Sequence, residues 1–223
     1  VSIDASAIID KIAAVYGEPF ADPSALPTYE VCRAARPYVK VALSGDGGDE
    51  VFAGYRRYRF FSAEERVRRL APLFARKALF GFAGAIYPKF DWAPQPLRLK
   101  TTLQSLGDSS TNAYARAVTV TLPDRLISIL SDDYKNAMRS YNSNSPIAAS
   151  IDGEKLDAVS FAQKIDFETW LPGRVLTKVD RASMANGLEV RTPFLDHRLV
   201  EWALTLPPHL KAGGGGKAVL KRA

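Results

Sequence analysis

Apolar positions in the first sixteen residues recur at helical spacing (Ile8, Ile9, Ile12, Ala13, Tyr16) and predict a helix over residues 1–16. Gly17-Glu-Pro-Phe-Ala-Asp-Pro23 breaks that pattern as an extended loop. Ser24 then stands where it can cap a second helix, with Pro27 in the first turn and Leu26, Tyr29 and Cys32 on one face. This helix must end before Pro37, and an apolar run with Val39, Val41 and Leu43 predicts a strand over 39–43. The run stops at Ser44. Three glycines and three acids fill Gly45 to Glu50, and an amphipathic stretch follows. Strand, tight loop, helix is the arrangement in which α/β proteins hold ligands, and helix–strand–loop–helix order predicts a piece of a parallel α/β sheet.

Further along, residues 64–130 read as mostly helical with irregular connections, broken by Pro88, Pro94 and Pro96, with a turn at Asp91-Trp-Ala-Pro94. Residues 140–152 read as a polar loop. Asp196 reads as the cap of a late helix whose buried face holds Leu199, Val200, Trp202 and Ala203, ended by Pro207-Pro208.

A length of 223 residues allows one domain, or one and a fraction, with a substantial core. Apolar residues make up 47% and charged ones 24%, the balance of an ordinary globular chain. No apolar run reaches the length of a membrane span and no secretory signal pattern opens the chain, so no membrane partner is expected. Cys32 is the one cysteine, which excludes an internal disulfide and fits a cytoplasmic location; with two histidines it excludes a structural zinc site. The net charge of +6 has an uneven source. Arg56, Arg57, Arg59, Arg66, Arg68, Arg69, Arg76 and Lys77 crowd one region, interleaved with Tyr55, Tyr58, Phe60 and Phe61. Basic residues among aromatics can bind nucleic acid. No recognition signature accompanies them, so the favoured reading is a helix with its aromatics inward and its arginines solvated, and no nucleic acid is expected.

Candidate chemistry concentrates in Ser44-Gly-Asp-Gly-Gly-Asp-Glu50. Glycines admit a ligand close to the backbone, and a helix N-terminus favours anions. A phosphate loop of the Walker type needs lysine after its last glycine, where this chain has Asp49 and Glu50. Asp46, Asp49 and Glu50 would repel a bare phosphate, but suit a Mg²⁺ ion between carboxylate and polyphosphate, or a substrate ammonium group. The plainer alternative is that Asp49 and Glu50 merely favour the helix dipole. A second dense stretch runs from Asp166 to Asp196. In it, Lys178 and Arg181 share a helix face and Asp180 points aside; charges usually lie on a solvated face, but Leu176, Val179, Met184 and Leu188 around them predict that some are partly buried and paired. A third clue is Lys217, directly after Gly213 to Gly216. On a glycine hinge such a lysine could neutralise developing phosphate charge, although most lysines are surface groups.

Together these residues resemble the synthetase domain of glutamine-hydrolysing asparagine synthetases. Ser44-Gly-Asp-Gly-Gly-Asp-Glu50 with Gly54-Tyr55 resembles that family's second nucleotide-site loop. Lys178-Val-Asp-Arg-Ala-Ser-Met184 followed by Leu188-Glu-Val-Arg-Thr-Pro-Phe-Leu-Asp-His197 resembles its helix-and-loop signature, and Lys217 matches its late lysine. The middle region, with Asp91-Trp92 and Leu99-Lys-Thr-Thr-Leu103, resembles the exosortase-associated branch. The resemblance implies a doubly wound parallel α/β sheet of the ATP-pyrophosphatase type (adenine-nucleotide alpha hydrolase) with a large helical portion. It implies a ligase that uses ATP and Mg²⁺ to activate the side-chain carboxylate of aspartate as an acyl-adenylate, which ammonia from a glutaminase domain attacks. Ser44, Gly45 and Gly47 would then meet the nucleotide and Asp49 would hold Mg²⁺. Asp46 would stand at the position tied to formation of the intermediate, where the family often has Glu. Lys217 would stabilise charge near the α-phosphate. Lys178, Asp180, Arg181 and Glu50 would shape or brace the substrate side, and Arg181 would take a catalytic part.

The family's first phosphate loop, Ser-Gly-Gly-x-Asp-Ser, has no counterpart in these residues, nor does the glutaminase cysteine. The expectation is therefore one partial synthetase domain over 1–223, truncated at both ends and without the glutaminase domain. Alone it should bind ATP poorly and not turn over; a homodimer is an open expectation for the parent. Two other readings stand beside it: an amidotransferase that adenylates another carboxylate, and a non-catalytic module that offers the basic 56–77 region to an acidic partner.

Overall fold

Helix α1 (Ala5–Tyr16) and helix α2 (Ala25–Ala35) form where the first two periodic stretches predict them. A computed structural model describes residues 5–18, 20–88, 99–138, 141, 145–151, 155–213 and 216–223. The chain divides into two units: Val1–Tyr55 with Asp166–Ala223, and Arg56–Ile165. Ser24 precedes α2 as expected but caps nothing with its side chain. Its hydroxyl instead donates to Asp22 at 2.7 Å, since Ser24 has helical backbone angles, φ −84° and ψ −4°, not the extended ones of a capping residue. Strand β1 (Val41–Leu43) follows, shorter than the expected 39–43, and Gly45–Gly47 turn the chain into the single-turn helix α3 (Gly48–Val51).

The second unit is all helical among its described residues. Helix α4 (Arg56–Arg68) buries Tyr58 and Phe61, and Phe61 meets Tyr114 edge-on at 5.1 Å and stacks on Phe161 at 5.4 Å. Helix α5 (Leu73–Arg76), a π-helical segment (Lys77–Gly81) and α6 (Phe82–Ile86) continue without a break. They pack on α7 (Lys100–Gly107) through glycine: a Cβ on Gly107 would lie 3.0 Å from the Gly81 nitrogen, and one on Gly84 would lie 3.0 Å from the Gln104 nitrogen. Then come α8 (Ser110–Val118), α9 (Pro123–Ile129), α10 (Asp132–Ala137), α11 (Ser145–Ala149) and α12 (Ala158–Ile165). Helix α11 corrects the reading of 140–152 as a loop throughout: Pro146 sits in its first turn, where a missing N–H costs nothing. The turn expected at Asp91-Trp-Ala-Pro94 lies outside the described residues, as do Gly214 and Gly215.

The arginine-rich region also differs from its expected solvated face. Arg68 is buried, bound to Glu64 and Glu65 at 2.8 and 2.7 Å and to the Ser105 carbonyl and hydroxyl. Buried Arg76 donates to the carbonyls of Ala71, Leu106 and Asp108. Phe60, read as inward, is 60% exposed. The forked guanidinium satisfies several acceptors at once, so arginine enters where lysine would leave acceptors unmet.

The chain returns to the first unit through a π-helical stretch (Asp166–Leu176), helix α13 (Thr177–Ala185) and strand β2 (Glu189–Arg191). Strand β2 pairs parallel with β1 in the register Val41–Glu189, Ala42–Val190, Leu43–Arg191. Side chains alternate across the pair. Ala42 and Val190 face a core of Cys32, Ala182 and Leu188, while Val41 and Leu43 point to the exposed face. A 3-10 turn (Pro193–Leu195), α14 (His197–Thr205) and α15 (Pro208–Ala212) complete the unit. Asp196 caps α14 by accepting from the Arg198 amide, as expected, and Ala203 is buried; Trp202, read as buried, is half exposed. Met184, placed among buried neighbours in the sequence, is exposed at the end of α13. The described architecture is thus mostly helical α/β with a small parallel sheet.

Gly107→Val should lower the stability of the helical unit by about 1–3 kcal/mol, since its new atoms meet backbone that cannot swing aside. Gly173→Ala, which adds a methyl group to open space, should stay within about 0.5 kcal/mol of wild type. Thermal unfolding of the two variants checks the contrast.

Candidate active site

The glycine loop follows β1 directly, and its first residue prolongs the sheet: the Ser44 amide donates to the Arg191 carbonyl at 2.8 Å. The Ser44 hydroxyl donates to the Asp46 carboxylate, while the Asp46 amide donates back to that hydroxyl at 3.2 Å. Gly47 has φ +86°, a left-handed value that glycine adopts without strain. A Cβ there would also stand 2.3 Å from Leu195, and one on Gly48 would stand 3.3 Å from Phe194. The loop is therefore pressed against the 3-10 turn, with Phe52 edge-on to Phe194 at 6.2 Å beneath it.

The three acids part company. Asp46 stays on Ser44. Asp49 meets Lys217, Nζ to Oδ1 at 2.8 Å, with both side chains about one third exposed at 36% and 32%. Glu50 turns inward, 1% exposed, and accepts from the Tyr55 hydroxyl at 2.7 Å. Burial pushes the Glu50 carboxyl up, the Tyr55 hydrogen bond partly opposes that, and the charges of Asp166 and Asp49 push it further up. Successive helix positions lie about 100° apart, so Asp49 and Glu50 cannot both face one ligand.

Lys217 arrives through a second tight approach. Gly216 has φ +86°, and a Cβ there would be 2.9 Å from the carbonyl oxygens of both Ala53 and Gly54. Lys217 itself has φ +54° and donates its amide to the Phe52 carbonyl at 3.2 Å. Gly54 completes the approach, since its Cβ would fall 1.9 Å from Asp49 Oδ1 and 2.5 Å from Lys217 Cε. The sequence reading passed over Gly54 as a positioning residue and Tyr55 as the partner of Glu50. A glycine and a tyrosine four and five residues beyond the acid pair were the available signals.

Ser44, Gly45 and Asp46 line a cavity of about 450 Å³ with Ser24, Thr28 and Leu43. Lys178 donates to Ser24 at 3.2 Å, and Ser24 donates to Asp22, which Arg174 engages at 3.0 Å. Lys178 is thus half buried and tied to the rim of the loop's cavity. Asp180 lines a different cavity of about 510 Å³ with Thr177, Ser183, Glu189 and Thr192. Partial burial, expected for some of the charges in this cluster, falls to Lys178, while Asp180 and Arg181 are exposed: α13 buries Val179, Ala182 and Ser183.

The family model for asparagine synthase matches residues 2–223. The chain belongs to the asparagine synthase family. Asparagine synthetase [glutamine-hydrolyzing] 1 of Bacillus subtilis is 30% identical over 219 residues, 96% of this chain and 32% of that protein. Asparagine synthetase [glutamine-hydrolyzing] 3 of the same organism is 42% identical over 55 residues, 24% of this chain and 9% of that protein. Amidase chry2 of Gibberella zeae is 26% identical over 196 residues, 78% of this chain and 26% of that protein. The chain spans about a third of the length of the first of these relatives. No solved structure matches it significantly.

Among the described residues of this family member, no group of three or more His, Cys, Asp or Glu is placed to share an ion. Magnesium commonly takes one or two carboxylates and fills its shell with water and substrate phosphate. The outward carboxylate of Asp49 fits an ion of that kind, one that arrives with a polyphosphate.

The raised carboxyl of Glu50 has a stability consequence with a definite sign. Its folded pKa lies above the ordinary 4.5, so its contribution is full below that value and is lost as pH rises through the folded pKa. Glu50→Gln keeps an acceptor for Tyr55 without the charge. It should therefore gain stability relative to wild type between pH 4 and pH 7, as urea unfolding at the two values would show; an equal difference at both would remove the assigned shift.

Proposed function

We propose that the protein to which this chain belongs is an ATP-dependent carbon–nitrogen ligase that makes asparagine. In this reading the side-chain carboxylate of aspartate attacks the α-phosphate of ATP, pyrophosphate leaves, and ammonia released from glutamine displaces AMP from the acyl-adenylate. The observation that carries the reading is the Asp49–Lys217 pair: the glycine loop and the late lysine, 168 positions apart, meet at 2.8 Å. Family membership and the glutamine-hydrolysing names of the relatives support it.

Each side chain then has a task. Ser44 and Gly45 border the cavity beside the loop and would receive the nucleotide, with Gly47 giving the turn its shape. Asp46, braced by Ser44, would face the reacting carboxylate. Asp49 would hold Mg²⁺ with the pyrophosphate; the ion, when bound, neutralises charge on the departing group. Lys217 would leave Asp49 for the phosphate oxygens as charge builds there. Glu50 would act from behind by fixing α3 to Tyr55. Lys178 would brace the cavity rim through Ser24, while Asp180 and Arg181 would serve the substrate side from α13. Strands β1 and β2 would be two members of a wider doubly wound sheet, which accords with the exposed apolar face of Val41 and Leu43. Among the described residues no helix is long and apolar enough to cross a membrane.

Aspartate-stimulated release of pyrophosphate from ATP, with ammonium as nitrogen source, tests the reading on the full-length protein. Asp49→Asn and Lys217→Ala should each lower the rate about 10²–10³-fold, the usual loss when one preorganised charge at a transition state is removed. Gly54→Ala should do likewise, because its methyl group displaces Asp49 from Lys217. Release that ignores aspartate would remove asparagine as the product and turn the search to another carboxylate.

A further inference from the structure

Residues 66–90 contain Arg66, Arg68, Arg69, Arg76, Lys77 and Lys89 and no acidic residue, in a chain with 24 Asp and Glu. Within this stretch residues 73–86 form a continuous helix with a π-helical middle, and its sides are reversed relative to an ordinary packed helix. Gly81 and Gly84 meet α7 at backbone distance. Phe80 is half-buried, but most of the large apolar side chains lie outward: Leu70, Phe74, Leu79, Phe82 and Ile86 are each at least 65% exposed. Phe74, Ala78 and Phe82 follow at four-residue spacing, with Leu79 and Ile86 beside them, so they form one face. Burying glycine while exposing phenylalanine forgoes core packing, and so a face of this size is of the kind that meets a partner.

We propose that this outward face is an interfacial docking surface for an anionic lipid bilayer. Arg66 and Arg69 precede it in the chain and Lys77 lies within the helix; all three are exposed and make no ion pair among the described residues. Aromatic and aliphatic side chains on one side of a short helix, edged by Lys and Arg without acids, suit insertion at the headgroup–acyl boundary. The same charges disfavour a second copy, whose identical face would set cation against cation. The length rule for spanning helices does not bear on this surface, since a helix in the interface plane need not cross the bilayer.

Co-sedimentation of the full-length protein with phosphatidylcholine vesicles, with and without phosphatidylglycerol, tests the surface. Binding should need phosphatidylglycerol and fall as salt rises. The pair Arg69→Glu and Lys77→Glu should weaken it at least about thirtyfold, given about fivefold per cation near a charged surface. Phe74→Ser with Phe82→Ser should abolish it, while Ile129→Ser, at an exposed apolar position elsewhere in the same unit, should not. These are surface positions, and an unchanged melting temperature confirms that each variant is folded. Three results would overturn the proposal: no binding to anionic vesicles, a wild-type dimer that Phe74→Ser dissociates, or a Phe74→Cys thiol that a maleimide cannot reach in the lipid-free full-length protein, which would place a protein segment on the face.

Discussion

Everything at the candidate site hangs on how closely two stretches of backbone pass at Gly54. On one side lies the Asp49 carboxylate, with no space for a methyl group between it and the chain. On the other lies Gly216, whose Cα approaches the carbonyls of Ala53 and Gly54 as no alanine could. Ala53 and Lys217 both take left-handed φ values, +50° and +54°, which cost a non-glycine residue about 1 kcal/mol or more each. Two strained residues beside two obligate glycines mark a junction whose geometry is fixed by its surroundings. Its product is a lysine held within hydrogen-bonding reach of a carboxylate on an otherwise open rim.

That junction explains why the acids separate. A helix of one turn cannot gather Asp49 and Glu50 on one side, and the core below α3 is apolar: Val51, Phe52, Phe194 and Ala203. Glu50 enters this environment with the Tyr55 hydroxyl as a donor, and burial there pushes its carboxyl above the ordinary range. Asp49 stays outside because Lys217 meets it there. The simple dipole reading of both acids is compatible with their place in the first turn, but it accounts for neither partner.

The strand, the loop and α3 were legible because their signals are local: an apolar run, glycines in succession, then a helical pattern. The nearness of Lys217 to Asp49 was not local, and no periodicity could reveal it; the family resemblance pointed to it. Ser24 shows the limit of local rules, because its position was right while its hydroxyl served Asp22 and Lys178 instead of the helix amides. Arg68 and Arg76 show another. Charge counting sends arginines to solvent, whereas the pairing that buries Arg68 comes from Glu64 and Glu65 one turn back and from Ser105 on another helix. Trp202 and Met184 err in the opposite direction, apolar residues at the correct spacing with nothing in the described chain to cover them.

The reversed helix at 73–86 follows from the same gap between pattern and packing. A hydrophobic stripe says that a helix has an apolar face, but not that the face turns inward. Which side is buried depends on the neighbour, and α7 sets Gly107 on the Gly81 backbone and Leu103 and Gln104 on Gly84, where a larger residue would meet packed atoms. Glycines therefore decide the contact, the helices come close, and Phe74 and Phe82 are left outside. A sequence reader who assigns the largest side chains to the core will invert such a helix. The informative residues are the small ones, because close approach of two helices is possible where glycine stands and is blocked elsewhere.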